Sequence, residues 1–513
     1  MGLGGKGDTM NNKSSKDDKH ISIDPWGSST IEDYNDLFSQ FGISKFEHFL
    51  PDISHPHHLM RRGIIFGHRG YQSILEAMKS KSPFSVLSGF MPTGDPHIGH
   101  KMVFDEIVWH QKQGAKAYGL IADLEAHAAR KLSWSEIDDH ARNYILALLA
   151  SGFDLKTGEI YRQSENKRVK DLAFELGIET NFSEMQSIYG FSGNTEISHI
   201  QSVLTQAADI LYPQLDHPQP TVIPVGPDQD PHLRLTRDLA SRLRLFSVTE
   251  AYASFEADAA ELEYLKVAFE NLSSLQTPLH CNDVAEWIEN ENQASEALST
   301  ITNKLKEASK EEFYPRIRII NHRATPDLLK ELESKISKNK QVYKEHIDVF
   351  DASHNDIDNM VREFEIENGG YGFYPPLSLY HRFMSGLTGG KMSSSLPDSH
   401  ISLFEAPESG YQKVKQSTTG GRESAELQRE LGGEADKCPV YELYAYLLTQ
   451  DDDSYAQRVY EECTNGTRLC GDCKEEAANL MREFLKDYQQ KIKEVEPLLE
   501  QLNPNTPNTE GRS

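Results

Sequence analysis

Phe84-Ser-Val-Leu-Ser-Gly-Phe90, then Met91-Pro92-Thr93-Gly94-Asp95-Pro96, then His97-Ile98-Gly99-His100 follow one another without a break. The first seven residues are an apolar run of strand length, and the next six are turn formers. From His97 to Gln113 apolar residues return with a period near 3.6, so the stretch predicts a buried strand, a loop and a helix. A helix start set just beyond a strand offers unpaired N–H groups and a positive dipole end, both favourable to a phosphate chain. Gly94 and Gly99 lack a Cβ and let backbone or a nucleotide base approach. His97 and His100, three apart, are expected on one helix face as donors to phosphate oxygens.

Outward from this stretch, Ala117–Ile121 and Thr221–Val225 read as further buried strands with helical segments between them. Such alternation predicts an α/β fold built on a parallel sheet with crossover helices. Residues 1–20 and 503–513 are polar and read as disordered tails. Between Ala251 and Gly370 the chain holds 24 acidic against 13 basic residues and little glycine, and reads as an acidic helical insertion. From Val414 to Leu502 the Leu/Tyr spacing is that of a helical bundle. The expected layout is therefore a catalytic domain over 21–250 plus 370–403, the insertion at 251–369, and a helical domain over 404–502.

A second candidate phosphate-handling stretch is Gly389-Gly390-Lys391-Met392-Ser393-Ser394-Ser395. Its glycines allow a loop to close, Lys391 supplies a point charge, and the serines supply hydroxyl donors to a departing pyrophosphate.

The pair of motifs, in this order, resembles the class I aminoacyl-tRNA synthetases, with His97-Ile-Gly-His100 as the HIGH signature and Lys391-Met-Ser-Ser-Ser395 as KMSKS. Ser394 stands where the family has its final Lys. The resemblance implies a Rossmann-type catalytic domain, ATP with Mg²⁺ on its phosphates, and a tRNA partner whose anticodon the C-terminal helices read. It implies ATP contacts at Gly94, Gly99, Asp228, Lys391, Met392, Ser393 and Ser394. The family's tyrosyl/tryptophanyl subgroup implies a homodimer, and the few cysteines point to a cytoplasmic setting.

Gln206-Ala-Ala-Asp209-Ile-Leu-Tyr-Pro213 and Val225-Gly-Pro-Asp228-Gln229 are similar to the tyrosyl/tryptophanyl subgroup. There the residue matching Asp209 accepts a hydrogen bond from the substrate ring, the one matching Gln229 meets its amino group, and Gln206 lies beside them. Asp24-Pro-Trp26, Arg61-Arg62-Gly-Ile-Ile-Phe66-Gly-His68-Arg69 and Asp230-Pro231-His-Leu-Arg234 resemble the archaeal/eukaryotic tryptophanyl lineage, whereas the Ala-Ala-Asp-Ile-Leu-Tyr wording is closer to bacterial enzymes. By the same likeness His127 is expected against the indole. A tyrosyl enzyme and a synthetase-like regulatory paralogue remain the alternatives.

Four of five cysteines fall late, at Cys438, Cys463, Cys470 and Cys473, with Cys-x₆-Cys-x₂-Cys spacing in the last three. Four thiolates suit zinc or an iron–sulfur cube. Small buried hydrophobes are the other reading, and the favoured one.

The formal charge is −26, which taken alone argues against nucleic acid. The 251–370 block holds −11 of it, however, leaving −15 on the other residues, which is compatible with a local basic surface. The excess points instead to a salt-rich cytoplasm, as in a halophilic archaeon. No run of eighteen apolar residues exists, so no membrane-spanning helix is expected. The scarcity of cysteine suits a reducing compartment.

Overall fold

The computed structural model describes residues 34, 37, 38, 41–251, 316–390, 392 and 396–499. The expected tails, Asp24-Pro-Trp26, Lys391, Ser393, Ser394, Ser395 and residues 252–315 of the insertion lie outside these residues.

The strands in chain order are β1 (Ser44–Lys45), β2 (Ile65–Arg69), β3 (Ser85–Phe90), β4 (Lys116–Ile121), β5 (Gly158–Arg162), β6 (Thr221–Val225), β7 (Phe246–Ala251), β8 (Arg316–Asn321), β9 (Lys340–Val342), β10 (His346–Val349) and β11 (Leu377–His381). Seven form one sheet, ordered β1-β2-β11-β6-β3-β4-β5. The five from β11 to β5 pair in parallel, and β2 and β1 add an antiparallel edge. β3 is buried at five of its six positions, as a parallel strand covered on both faces should be. The parallel α/β expectation is met.

The helices that shape the site are α1 (Ile98–Lys112), α2 (Trp134–Ala150), α3 (Ile197–Leu211), α4 (Asp230–Arg242), α5 (His354–Glu367), α6 (Pro407–Gln416), α7 (Pro439–Leu443) and α8 (Cys470–Val495). α1 is the helix that the opening stretch predicts, with His97 and Gln113 as its two caps. It buries even Lys101, Glu106 and His110. Glu106 is kept in the core opposite His381, whose Nδ1 lies 2.9 Å from its carboxylate.

The C-terminal region is helical, as expected. It docks on the sheet domain through α8, where the Tyr488 hydroxyl donates to the Ala147 carbonyl of α2 at 2.6 Å. Near its start, His58, Arg61 and Arg62 grip the Tyr444–Leu448 π-turn and the helix beyond it. Arg62 Nη1 reaches the Ala445 carbonyl at 2.7 Å, and Arg61 Nε the Asp453 carboxylate at 2.6 Å.

The insertion departs from the all-helical reading. Its described part supplies β8, β9 and β10 of a second, antiparallel sheet, ordered β7-β8-β10-β9, whose strand β7 precedes it in the chain and has α5 packed on it. Arg316 and Arg318 alternate along β8 with Ile317 and Ile319; the isoleucines are buried with Phe246, Ile347 and Val349, while the arginines pair with Asp348 of β10. Charge on alternate positions is what a half-buried strand requires, and it hid the strand within an acidic block.

Candidate active site

β3 is the point where strand order reverses: the chain runs outward from it through β4 and β5, while β6 lies on its other side. In an open α/β sheet, ligands bind beyond the carboxyl ends of the strands at such a point. Two adjoining pockets lie there and share Ser88, Gly89, Val225 and Gln229 as walls.

The outer pocket is lined by His97, Gly99, His100, Asp228, Gln229 and Met392, among others. The loop before α1 is held by Asp95, whose carboxylate accepts from His140 and Asn143 of α2. His97 is not on the helix face but at its N-cap, with extended backbone. Its Nδ1 accepts the Gly99 N–H at 3.1 Å, and His100 turns back so that its Nδ1 accepts the His97 N–H at 3.1 Å. The two histidines thus make a reciprocal cap that satisfies two donors of the first turn. Because each Nδ1 is an acceptor, each ring carries its proton on Nε2. His100 Nε2 meets the Tyr144 hydroxyl at 3.2 Å.

Burial holds both rings below the ordinary histidine range, His100 down to about 3. At neutral pH they are uncharged donors. The positive end of α1 is therefore its backbone rather than its imidazoles. Gly99 has a specific reason to be glycine: a Cβ there would sit 3.0 Å from the His97 ring and 3.5 Å from Met392 Sδ.

Residues beyond the second motif return to the first. Ile98 N–H donates to the Ile401 carbonyl at 3.1 Å and Leu403 N–H to the Pro96 carbonyl at 2.9 Å. With Met392 buried in the pocket wall, the two motifs share one site. Gly94 lines neither pocket.

The inner pocket ends on Asp209, which is fully buried near the end of α3. Gln206, one turn earlier, shares its face. Tyr161 donates to Asp209 Oδ1 at 2.9 Å and Gln163 Nε2 to Oδ2 at 2.7 Å. Burial pushes the carboxyl up to about 8 against the pull of these two donors. Gln206 Nε2 donates to Gln229 Oε1 at 3.1 Å, fixing the amide that stands where the pockets meet. Sequence reasoning did not find Tyr161, Gln163, Glu125 or His232. Tyr161 and Gln163 stand two apart at the end of β5, and that spacing was the one signal available.

His127 is not brought to this pocket. It is exposed, stacked on Trp134 at 4.6 Å, with Nδ1 directed at the Leu132 carbonyl at 2.8 Å. Glu125, on the opposite side of the same short helix, lines the cavity instead.

The late cysteines share a neighbourhood, since Cys463 is influenced by Cys438 and Cys470, and Cys473 by Cys438 and Cys463. Even so, no set of three or more His, Cys, Asp or Glu among the described residues is arranged to hold a metal ion. Cys438 and Cys473 are buried, and burial, with Cys438 and Cys463 nearby, pushes the Cys473 thiol up to about 12. No helix among the described residues is long and apolar enough to cross a membrane.

The family model described as tRNA synthetases class I (W and Y) matches residues 78–259 and 357–486. Tryptophan–tRNA ligase 1 of Halobacterium salinarum is 54% identical over 491 residues, covering 94% of this chain and 96% of that protein. The tryptophan–tRNA ligase of Methanosarcina acetivorans is 46% identical, covering 91% and 95%. The solved tryptophanyl-tRNA synthetase of Aeropyrum pernix superposes with a TM-score of 0.63 at 31% identity, covering 94% of this chain and 98% of that one. With motif order, strand order and relatives of this identity all in agreement, the chain belongs to the class I tRNA synthetases of the tryptophan and tyrosine group, among the archaeal tryptophan–tRNA ligases.

Proposed function

We propose that the chain activates L-tryptophan with ATP and transfers it to tRNA(Trp). The observation that carries this is Asp209, a buried acceptor at the closed end of a pocket whose mouth is Gln229 and whose continuation is the His97–His100 helix start. Each Asp209 oxygen already accepts one donor and keeps room for another, which suits the indole N–H. A ring without such a donor would bury the carboxylate's remaining acceptor position unfilled, a ground for rejection. Gln229, steadied by Gln206, receives the ammonium of the amino acid on its carbonyl oxygen.

ATP lies along the start of α1, its ribose toward Asp228 and its base against Gly99 and Met392. The tryptophan carboxylate oxygen attacks the α-phosphorus, the bond to the bridging oxygen breaks, and pyrophosphate leaves. No proton moves in this step. His97 acts as a neutral Nε2–H donor at a helix start that His100 holds in place, and Lys391 with Ser393 and Ser394 meets the departing pyrophosphate. Mg²⁺ neutralises phosphate charge when bound and is carried by the nucleotide. The terminal hydroxyl of the tRNA then attacks the carbonyl carbon of the adenylate and AMP departs. The helical region at 404–502 reads the anticodon. Phe174 and Ile197 leave large apolar side chains exposed on neighbouring helices, with Ile178 exposed in the turn after the first, which supports a second copy of the chain as partner.

ATP–pyrophosphate exchange driven by tryptophan or by tyrosine tests the reading. Exchange with tryptophan alone is expected. Exchange with tyrosine, or none with either, overturns it.

A further inference from the structure

The chain between β11 and the Gly389–Ser395 stretch leaves the sheet but still forms one wall of the outer pocket, through Arg382, Phe383 and Met384. Outside a sheet its backbone donors need other partners. Arg382 N–H finds the Ile64 carbonyl at 2.9 Å, and Phe383 N–H the Tyr34 hydroxyl at 3.1 Å. The Arg382 guanidinium lies 4.9 Å above the Tyr34 ring. Ser385 is held differently. Its N–H donates to Glu442 Oε2 at 2.6 Å and its hydroxyl to Glu442 Oε1 at 2.8 Å.

Glu442 is on α7, in the C-terminal helical region, and both of its oxygens are spent on this one residue. Burial raises its carboxyl above the ordinary range, against the pull of the Ser385 bonds and Arg382. A carboxylate sunk here is costly unless its bonds hold something in place. Just beyond Ser385, Gly386 N–H donates to the Gly390 carbonyl at 2.8 Å, so the gripped residue is the foot of the Lys391 loop.

We infer that Glu442 is a positioning residue of the activation step: through Ser385 it fixes the Arg382–Met384 wall and the foot of the Lys391 loop where ATP binds. The helical region thereby takes part in forming the ATP end of the site, while the tryptophan end is made by the sheet domain alone. The inference rests on the ligase reading. Wild-type exchange reports on that reading, and variants compared with wild type report on this one.

The test measures KM for ATP and for tryptophan in exchange assays on Glu442→Gln, which keeps one acceptor oxygen, and Ser385→Ala, which removes the hydroxyl. Glu442→Gln is expected to raise KM for ATP on the order of tenfold, as loss of one charge-assisted hydrogen bond would, with KM for tryptophan within about twofold of wild type. Ser385→Ala is expected to give a smaller shift, about threefold, in the same direction. An unchanged KM for ATP, or an equal rise for both substrates, overturns the inference. Should Glu442→Gln not fold, Ser385→Ala is judged by the same two criteria.

Discussion

His100 Nδ1 accepts the backbone N–H of His97 at 3.1 Å, so the helix start that lines the outer pocket is fastened by two side chains that line it too. Ligand geometry and helix capping are one set of bonds. Neither ring is charged near neutrality, since burial holds both well down.

His100→Ala removes half of the reciprocal cap that sets the position of His97. The expected outcome is a loss of about 1 kcal/mol in stability, with the activation rate down about 10²- to 10³-fold. Tryptophan affinity by equilibrium dialysis should stay nearly unchanged, because Asp209 and Gln229 are untouched. Lys391→Ala is expected to act in the same direction on rate. Wild-type single-turnover rates in either variant contradict the mechanism.

Asp209 sets a pH dependence whose sign follows from its raised carboxyl, near 8 in the free pocket. An indole N–H favours the ionised form, so binding lowers that value and expels a proton when the solution is below pH 8. Tryptophan affinity should rise from pH 7 to about 8.5 and then level off. Calorimetry in buffers of different ionisation enthalpy should show proton release at pH 7, absent in Asp209→Asn. Proton uptake would contradict the assignment. For the fold the same carboxyl works the other way. Its protonated form is favoured when buried, so its contribution to stability is complete below about pH 3.9 and is lost as pH climbs through 8.

Cys438, Cys463, Cys470 and Cys473 give a prediction about composition. Protein purified without oxygen should hold neither zinc nor iron in stoichiometric amount by elemental analysis, and all four thiols should titrate after unfolding. One equivalent of zinc, or iron with labile sulfide, would show that the thiols gather about a metal after all.

The charge of −26 predicts a response to salt. At about 1 M salt the screening length is near 3 Å, which removes most repulsion between surface carboxylates. Exchange activity and melting temperature should both rise from dilute buffer to concentrated potassium chloride. An optimum in dilute buffer with loss at high potassium excludes adaptation to a salty cytoplasm.

How much of this could be read beforehand depended on burial. Val86, Ala117 and Val222 lie on strands buried on both faces, so β3, β4 and β6 were legible as plain apolar runs. β8 was not, because Arg316 and Arg318 interrupt it on the face that pairs with Asp348. That His97, His100, Asp209 and Gln229 belong together was legible through motif wording, and they line two adjoining pockets. Tyr161 and Gln163 were not, since their role depends on Asp209, more than forty residues away, being folded against them. His127 was misplaced for a geometric reason. It follows Glu125 by two residues on a helix, a turn of about 200°, and so points away from the wall that Glu125 lines.

The family match omits residues 260–356, and the described part of that stretch supplies three of the four strands of a sheet whose apolar centre joins Ile319 to Phe246 and Phe364 from the matched flanks. A unit that buries its own hydrophobic residues places few demands on the composition of its outer face. The protein can therefore adjust its bulk ionic character there, residue by residue, while Asp209, Gln229 and the histidine-capped helix stay as they are. Solubility in a given solvent and fidelity for a given amino acid become separately tunable properties of one chain.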